Sequence, residues 1–387
     1  MKLNADVFNR AEFLSGTWQQ QPRLLRAGFP AFEDPVEAEI LAGLAMEDGV
    51  DSRIVQCRYD ADGKPTDWHV EHGPFSDYES YGENNWTLLV QSVNEWLPQV
   101  GSLLSAFEFL PEWRLDDVMV SFSCEGGGVG PHLDQYDVFI IQGSGRRRWR
   151  VGQRQAMTSY QPCTDLTLVE EPFDAVIDEV LEPGDVLYIP AGCPHDGVAL
   201  EPSLNYSVGF RAPSQAEWLL QLGDQALQHD VLNRRYQDPQ LQPDTATHEV
   251  SDTQLAQCKQ LLADALQGNG ADDLLMRIMS QSKRELVEPE LPYVAEQIPE
   301  LLQQQGAIIA RAPGARWLYS ASLQSYYSGG ERFQLNRAIQ PLAEALASLR
   351  QEAAAEPWLA LVNNDNACQL LADLLNLGTF VLFLETD

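Results

Sequence analysis

His132 and Asp134 are separated by one residue, and because residues i and i+2 of a strand point to the same side, an imidazole and a carboxylate there can reach one ion. By itself the pattern says little. With 6 His and 57 acidic residues in 387, about one His-x-(Asp/Glu) arises by chance, and a second indeed stands at His69-Val70-Glu71. A second feature is needed to separate the two.

That feature is Pro183-Gly184-Asp185-Val186-Leu187-Tyr188-Ile189-Pro190-Ala191-Gly192-Cys193-Pro194-His195. It resembles the second signature of the cupin superfamily, in which a turn delivers a strand whose later His lines the barrel beside the first His pair. His132, Asp134 and His195 are thus the expected metal ligands. Two imidazoles and one carboxylate leave three adjacent positions open on an octahedral ion, which suits Fe(II) oxygenases. A bidentate 2-oxo acid such as 2-oxoglutarate takes two of those positions and O2 the third. A zinc site more often presents three ligands with a single opening.

The run RRRWRVG carries the next test. Strand alternation groups Arg147 with Trp149 on one face and Arg146, Arg148 and Arg150 on the other. With Trp149 inward, Arg147 also enters the barrel, where its planar fork suits a bidentate carboxylate. Arg147 is therefore the expected anchor for the distal carboxylate of 2-oxoglutarate. The other three arginines read as a solvated face.

These residues need a rigid frame. Between Val118 and Pro213 the runs VMVSFS, DVFIIQG, RRRWRVG, DVLYIPAG and LNYSVGF are rich in β-branched and aromatic residues and punctuated by Gly or Pro. Such short, evenly spaced strands predict a cupin-type double-sheet jelly roll. Residues 1–95 read as an irregular α/β extension. From residue 214 the period becomes helical, and Ser214-Gln215-Ala216-Glu217 and Ser251-Asp252-Thr253-Gln254 both fit the capping box. Two or three helices over 214–284 follow, interrupted by the polar connection QDPQLQPDTATHEV. Residues 287–387 read as a small α+β or winged-helix unit.

Charge narrows the partners. Lys and Arg total 25 against 57 for Asp and Glu, a formal net charge of −32, which opposes phosphate neutralisation and favours basic protein partners. The C-terminal segment from Val287 carries 12 acidic and 5 basic residues, so its winged-helix pattern is not expected to grip DNA. No apolar run approaches the roughly 18 residues of a membrane span, and the opening MKLNADVFNRAEFLSG has neither a secretory apolar core nor transit-peptide character. A cytoplasmic protein is expected. The six scattered cysteines, without a CxxC pair, predict free thiols.

SFSCEGGGVGPHLDQYDVFIIQGSGRRRWRVG followed by GDVLYIPAGCPHDGVALEPSLNYSVGFRAP resembles the JmjC-type bacterial ribosomal oxygenases, specifically the ribosomal protein arginine hydroxylases. The match extends over most of residues 95–213 and, more weakly, the rest. It implies a mainly β catalytic domain, a cupin/JmjC double-stranded β-helix with its N-terminal α/β extension, over 1–212. A helical dimerisation region over 213–286 follows, which makes a homodimer the expected state. A winged-helix-like domain over 287–387 completes the chain. The family's metal ligands fall on His132, Asp134 and His195, and its 2-oxoglutarate anchor on Arg147. Ser121, Ser123 and Asn205 are implied as polar groups near the co-substrate. The implied reaction is hydroxylation, using Fe(II), 2-oxoglutarate and O2, of C3 of an arginine side chain in large-subunit ribosomal protein sixteen. Glu125, Tyr136 and Asp137, flanking the His-x-Asp pair, are the candidates to receive the guanidinium.

Three other readings share parts of this pattern. A lysine demethylase or another JmjC protein hydroxylase uses the same iron and 2-oxoglutarate apparatus. A metal cupin that does not use 2-oxoglutarate has no need of an inward Arg147. A non-enzymatic scaffold for basic proteins has no need of open metal positions.

Overall fold

The computed structural model describes residues 2–59, 65–170, 172–239, 248–350 and 352–384. Residues 240–247 of the expected polar connection lie outside the described residues. The chain divides into two compact units, Met1–Ala212 and Pro213–Asp387.

The first unit is built on strands β1 (Arg23–Leu25), β2 (Ser52–Tyr59), β3 (Pro65–His72), β4 (Trp86–Val90), β5 (Leu115–Ser123), β6 (Asp137–Gln142) and β7 (Arg147–Gly152). It continues through β8 (Ser159–Cys163), β9 (Leu166–Val169), β10 (Ala175–Leu181), β11 (Val186–Ile189), β12 (His195–Ala199) and β13 (Ser203–Phe210). A large sheet runs β1-β11-β6-β13-β5-β4-β2-β3, a smaller one β10-β7-β12, and β8 pairs with β9. Two antiparallel sheets of this kind are the expected jelly roll.

Period-two alternation sorts the side chains. On β6, Val138 and Ile140 join Trp149, Leu187 and Ile189 in one apolar cluster, whereas Phe139 and Ile141 join the larger cluster with Phe13, Val186 and Tyr188. All six β6 residues are buried because both faces of the strand are covered. The N-terminal segment supplies the cover: Trp18 stacks on Tyr188 at 5.4 Å, and Phe13 meets the same ring edge-on at 5.0 Å. Each such aromatic or aliphatic side chain contributes roughly 1.5–3 kcal/mol on burial.

The second unit opens with helices Gln215–Gln228, Asp252–Leu266 and Asn269–Ser280, and both sequence-read capping boxes form, on Ser214 with Glu217 and on Ser251 with Gln254. The sequence Ile308–Arg311, Leu318–Ser320, Ser325–Ser328, Glu331–Gln334, Glu352–Ala354 and Phe380–Phe383 then forms two three-stranded sheets. Trp317, Leu342, Leu371 and Phe380 share their core with the helices Gln340–Ser348 and Asp365–Asn376. The helix Asn269–Ser280 is fastened to the following strands, since Asp273 accepts from Tyr327 Oη at 2.7 Å and Arg277 Nη1 donates to Gly330 O at 2.6 Å. The inner helix faces pack Leu222 and Ala226 against Leu274 and Ile278. Leu219, Leu220 and Leu227 stay 58%, 75% and 82% exposed. No helix among the described residues is long and apolar enough to cross a membrane.

Candidate active site

The site forms where the loop before β6 meets the start of β12. His132 and His195 exchange backbone hydrogen bonds, His132 N–H to His195 O at 2.9 Å and His195 N–H to His132 O at 3.0 Å. Only this isolated bridge is sheet-like: Asp134 lies in a loop, correcting the expectation that the His-x-Asp pair sits on a strand. Its place is fixed instead by its carbonyl, which accepts from Gly192 N–H at 2.8 Å.

Both imidazoles are oriented by the same device. Nδ1 of His132 faces Gly130 O at 2.8 Å and Nδ1 of His195 faces Cys193 O at 3.0 Å. A carbonyl only accepts, so both Nδ1 atoms carry a proton, which leaves each Nε2 as the ring position that faces a ligand. The two Nε2 atoms converge on one carboxylate, with His132 Nε2 3.8 Å from Asp134 Oδ1 and His195 Nε2 3.5 Å from Asp134 Oδ2. The three ligand atoms lie within 4.8 Å of one another. With metal–ligand bonds of about 2.1 Å, neighbouring ligands sit about 3 Å apart, so only a small contraction is needed to close on an ion.

Burial, with the charge of His195, pushes His132 down to about 4 despite the neighbouring Asp134. Burial alone would raise Asp134, but the hydrogen bond and charge of His195 and the charge of His132 hold it below the usual carboxylate range. Burial also works against a charged His195, yet Asp134 outweighs it and raises His195. A neutral His132 beside an ionised Asp134 matches what a divalent ion requires of its ligands. His69-Val70-Glu71, by contrast, lies on β3 with His69 and Glu71 exposed, and the triad is the only such metal-ligand cluster among the described residues.

A cavity of about 190 Å³ runs from the triad to Arg147, with Ser121 and Asn205 on its wall. On β7, Arg147 pairs with Ala199 and Val151 with His195, a separation of roughly 13 Å along the strand. An arginine side chain and a short dicarboxylate together fill such a span. Arg147 is 4% exposed. Its Nε donates to Ser203 Oγ at 2.9 Å and its Nη1 to Ser121 Oγ at 3.1 Å, while Nη2 donates to Ser121 O at 3.0 Å and Ser203 O at 2.9 Å. No carboxylate among the described residues pairs with it, and burial pushes its pKa down to about 9. Both polar atoms of Asn205 are also buried without partners. An uncompensated buried cation beside unpaired amide groups is a receptor for an anion.

Comparison with known proteins agrees with this geometry. Residues 102–218 match the JmjC domain model and residues 261–380 the ROXA-like winged-helix model. The chain is 43% identical over 375 residues to the ribosomal protein uL16 3-hydroxylase of Escherichia coli, covering 96% of this chain and 97% of that protein. The chain belongs to the JmjC-type ribosomal oxygenases. A probable ribosomal oxygenase of Haemophilus influenzae is 33% identical over 341 residues, covering 82% of this chain and 80% of that protein. The Escherichia coli ribosomal oxygenase YcfD, solved in complex with cobalt and 2-oxoglutarate, superposes with a TM-score of 0.84 at 41% identity, covering 98% of this chain and 99% of that one.

In this ribosomal oxygenase the outward arginines behave as the alternation requires. Arg146 pairs with Glu201, Arg148 pairs with Asp178, and Arg150 lies over the Phe173 ring at 4.9 Å. The flanking candidates divide. Tyr136 lines the cavity mouth and is 43% exposed. Asp137 does not face the cavity, a correction: it is fully buried, accepts from Tyr188 Oη at 2.8 Å and pairs with Arg114 at 2.9 Å. It shares its parity on β6 with Phe139 and Ile141, so it points to the N-terminal layer. Glu125 is exposed but does not line the cavity; the next residue, Gly126, donates to Ala199 O, at the end of β12 remote from His195. Ser123 is also corrected, being bonded to Thr87 at 2.7 Å, with only Thr87 reaching the cavity wall. Sequence reading missed Ser203, although it shares its face of β13 with Asn205. It also missed Arg53, which lines the cavity from β2 and which no motif marks.

Proposed function

We propose that this chain is a non-haem Fe(II)- and 2-oxoglutarate-dependent hydroxylase of large-subunit ribosomal protein uL16 that oxidises C3 of an arginine side chain. The observation that carries the reading is Arg147, a buried guanidinium with no carboxylate partner among the described residues, in the same cavity as His132, Asp134 and His195. An iron cupin without 2-oxoglutarate would have no use for that cation. The protein's own residues then divide the labour. His132, Asp134 and His195 would hold the iron, while Arg147, Ser121 and Asn205 would hold the distal carboxylate. When bound, iron and 2-oxoglutarate supply the oxidising power: O2 and 2-oxoglutarate are consumed, succinate and CO2 leave, and one oxygen atom enters the C–H bond. Trp149, Val138 and Ile140 line the same cavity with apolar surface that excludes water.

The arginine assignment rests on charge and on relatives. Burial, with Asp134, Asp117 and Asp116 nearby, holds the Tyr136 hydroxyl protonated. A chain of net charge −32 suits a cationic protein guest. The relative from Escherichia coli bears the name of a uL16 3-hydroxylase. The exposed Leu219, Leu220 and Leu227 support a homodimer through the 213–286 helices, followed by the winged-helix unit, in a cytoplasmic protein.

The test is incubation with Fe(II), 2-oxoglutarate, ascorbate and a panel of uL16 peptides, followed by mass spectrometry. One added oxygen on an arginine residue, matched by succinate release, is the expected result. Loss of a methylene from a methylated lysine peptide would instead identify a demethylase, and no oxygen on any arginine peptide with metal verified in place would overturn the substrate assignment.

A further inference from the structure

Arg53 is the second guanidinium of the cavity, and it differs from Arg147 in its setting. It stands on β2, where its register partners are Leu89 on β4 and His72 on β3, and Leu89 in turn pairs with Ser121 on β5. Arg53, Leu89 and Ser121 therefore form one row across the large sheet, and all three line the cavity. Arg147 takes the Ser121 end of that row. Arg53 takes the other, beside the exposed pair of His72 and Asp165, at the rim.

Its hydrogen bonding is incomplete. Nη1 makes one long contact, 3.4 Å to Asp165 O, and Nε is buried with no acceptor. No carboxylate among the described residues forms an ion pair with it. A buried N–H without an acceptor is costly, so the arrangement makes sense when a ligand supplies the acceptor. Its charge reaches His132, Asp134 and Tyr136, which places it within the working part of the cavity.

The ligand's chemistry follows by elimination, resting on the function proposed above. A cationic side chain is repelled by Arg53. The co-substrate has a carboxylate for Arg147 and its remaining oxygens for the metal. What remains is the main chain of a bound polypeptide, whose carbonyl oxygens are neutral acceptors. We propose that Arg53 is a substrate-binding residue that donates to a backbone carbonyl of the target peptide at the cavity rim.

The test measures equilibrium binding of a fluorescent uL16 arginine peptide, and separately of 2-oxoglutarate, to the full chain loaded with redox-inert Mn(II). Arg53→Met is expected to weaken peptide binding tenfold or more and to shift 2-oxoglutarate affinity less than twofold. Arg53→Lys keeps the charge without the Nε donor and is expected to fall between, which also serves if the Met variant fails to fold. Peptide affinity within twofold of wild type in both variants overturns the proposal. So does a loss of 2-oxoglutarate affinity, which would make Arg53 a co-substrate anchor. Wild-type protein that binds 2-oxoglutarate but no arginine peptide refutes the substrate reading beneath it, a result distinct from either variant outcome.

Discussion

Nε of Arg147, on the small sheet, donates to Oγ of Ser203, on the large one, at 2.9 Å. That bond and the three others to Ser121 and Ser203 fix the guanidinium between the sheets before any anion arrives. A preorganised cation binds without first losing side-chain freedom. Arg147→Met should raise the KM for 2-oxoglutarate by about ten- to a hundredfold, the equivalent of losing a charged hydrogen bond of about 1.5–3 kcal/mol. Arg147→Lys should recover part of this, because charge remains while the fork is lost. Succinate release measured against 2-oxoglutarate concentration checks both.

Metal should stabilise the fold through the triad. At a free Fe(II) or Co(II) concentration a hundred times Kd, the linkage amounts to about 2.7 kcal/mol. Thermal melting of chelator-treated protein should therefore rise when either ion is restored. Asp134→Ala removes the carboxylate on which both Nε2 atoms converge, and its melting temperature should not respond to metal. A metal response of wild-type size in that variant would remove Asp134 from the ligand set.

Gly197 lies directly under Trp149 in the ladder between β12 and β7, and a Cβ there would come within 2.6 Å of the indole. The ring is buried and has little room to yield. Gly197→Ala should cost about 1–3 kcal/mol of stability by overpacking. Because Trp149 shares its face with Arg147, the same change should weaken 2-oxoglutarate binding. Chemical denaturation and co-substrate titration on one preparation test the two effects together.

Leu220 and Leu227 are the most exposed leucines of the helix Gln215–Gln228, while Leu222 and Ala226 of that helix are buried. Exposed apolar side chains on a helix whose other face is already packed mark a contact with another molecule. Light scattering should report a dimer for the wild type and a shift towards monomer for Leu220→Asp with Leu227→Asp. An unchanged mass would place the contact elsewhere.

Local rules made part of this protein legible from its residues alone. Alternation along RRRWRVG sent Arg147 and Trp149 inward and Arg146, Arg148 and Arg150 outward, and the capping boxes at Ser214 and Ser251 marked two helix starts. Both follow from geometry repeated every two residues or confined to one turn. The same alternation, applied to β6, would have turned Asp137 away from the cavity with Phe139. Other features depended on which distant segments meet. Whether His132 or His69 belonged to a metal site was decided by the bridge to His195, and the partners of Arg147 were decided by the register that sets Ser203 opposite Ser123 and Asn205 opposite Ser121. Gly126 is held by Ala199, leaving Glu125 off the cavity wall, Ser123 is bonded to Thr87, which reaches that wall in its place, and Arg53 was brought in by β2 pairing with β4. The chain's local pattern therefore determined the direction of a side chain and the chemistry of the ligand set. Tertiary structure decided which side chains share the cavity, because long-range strand register is set by the packing of the whole sheet.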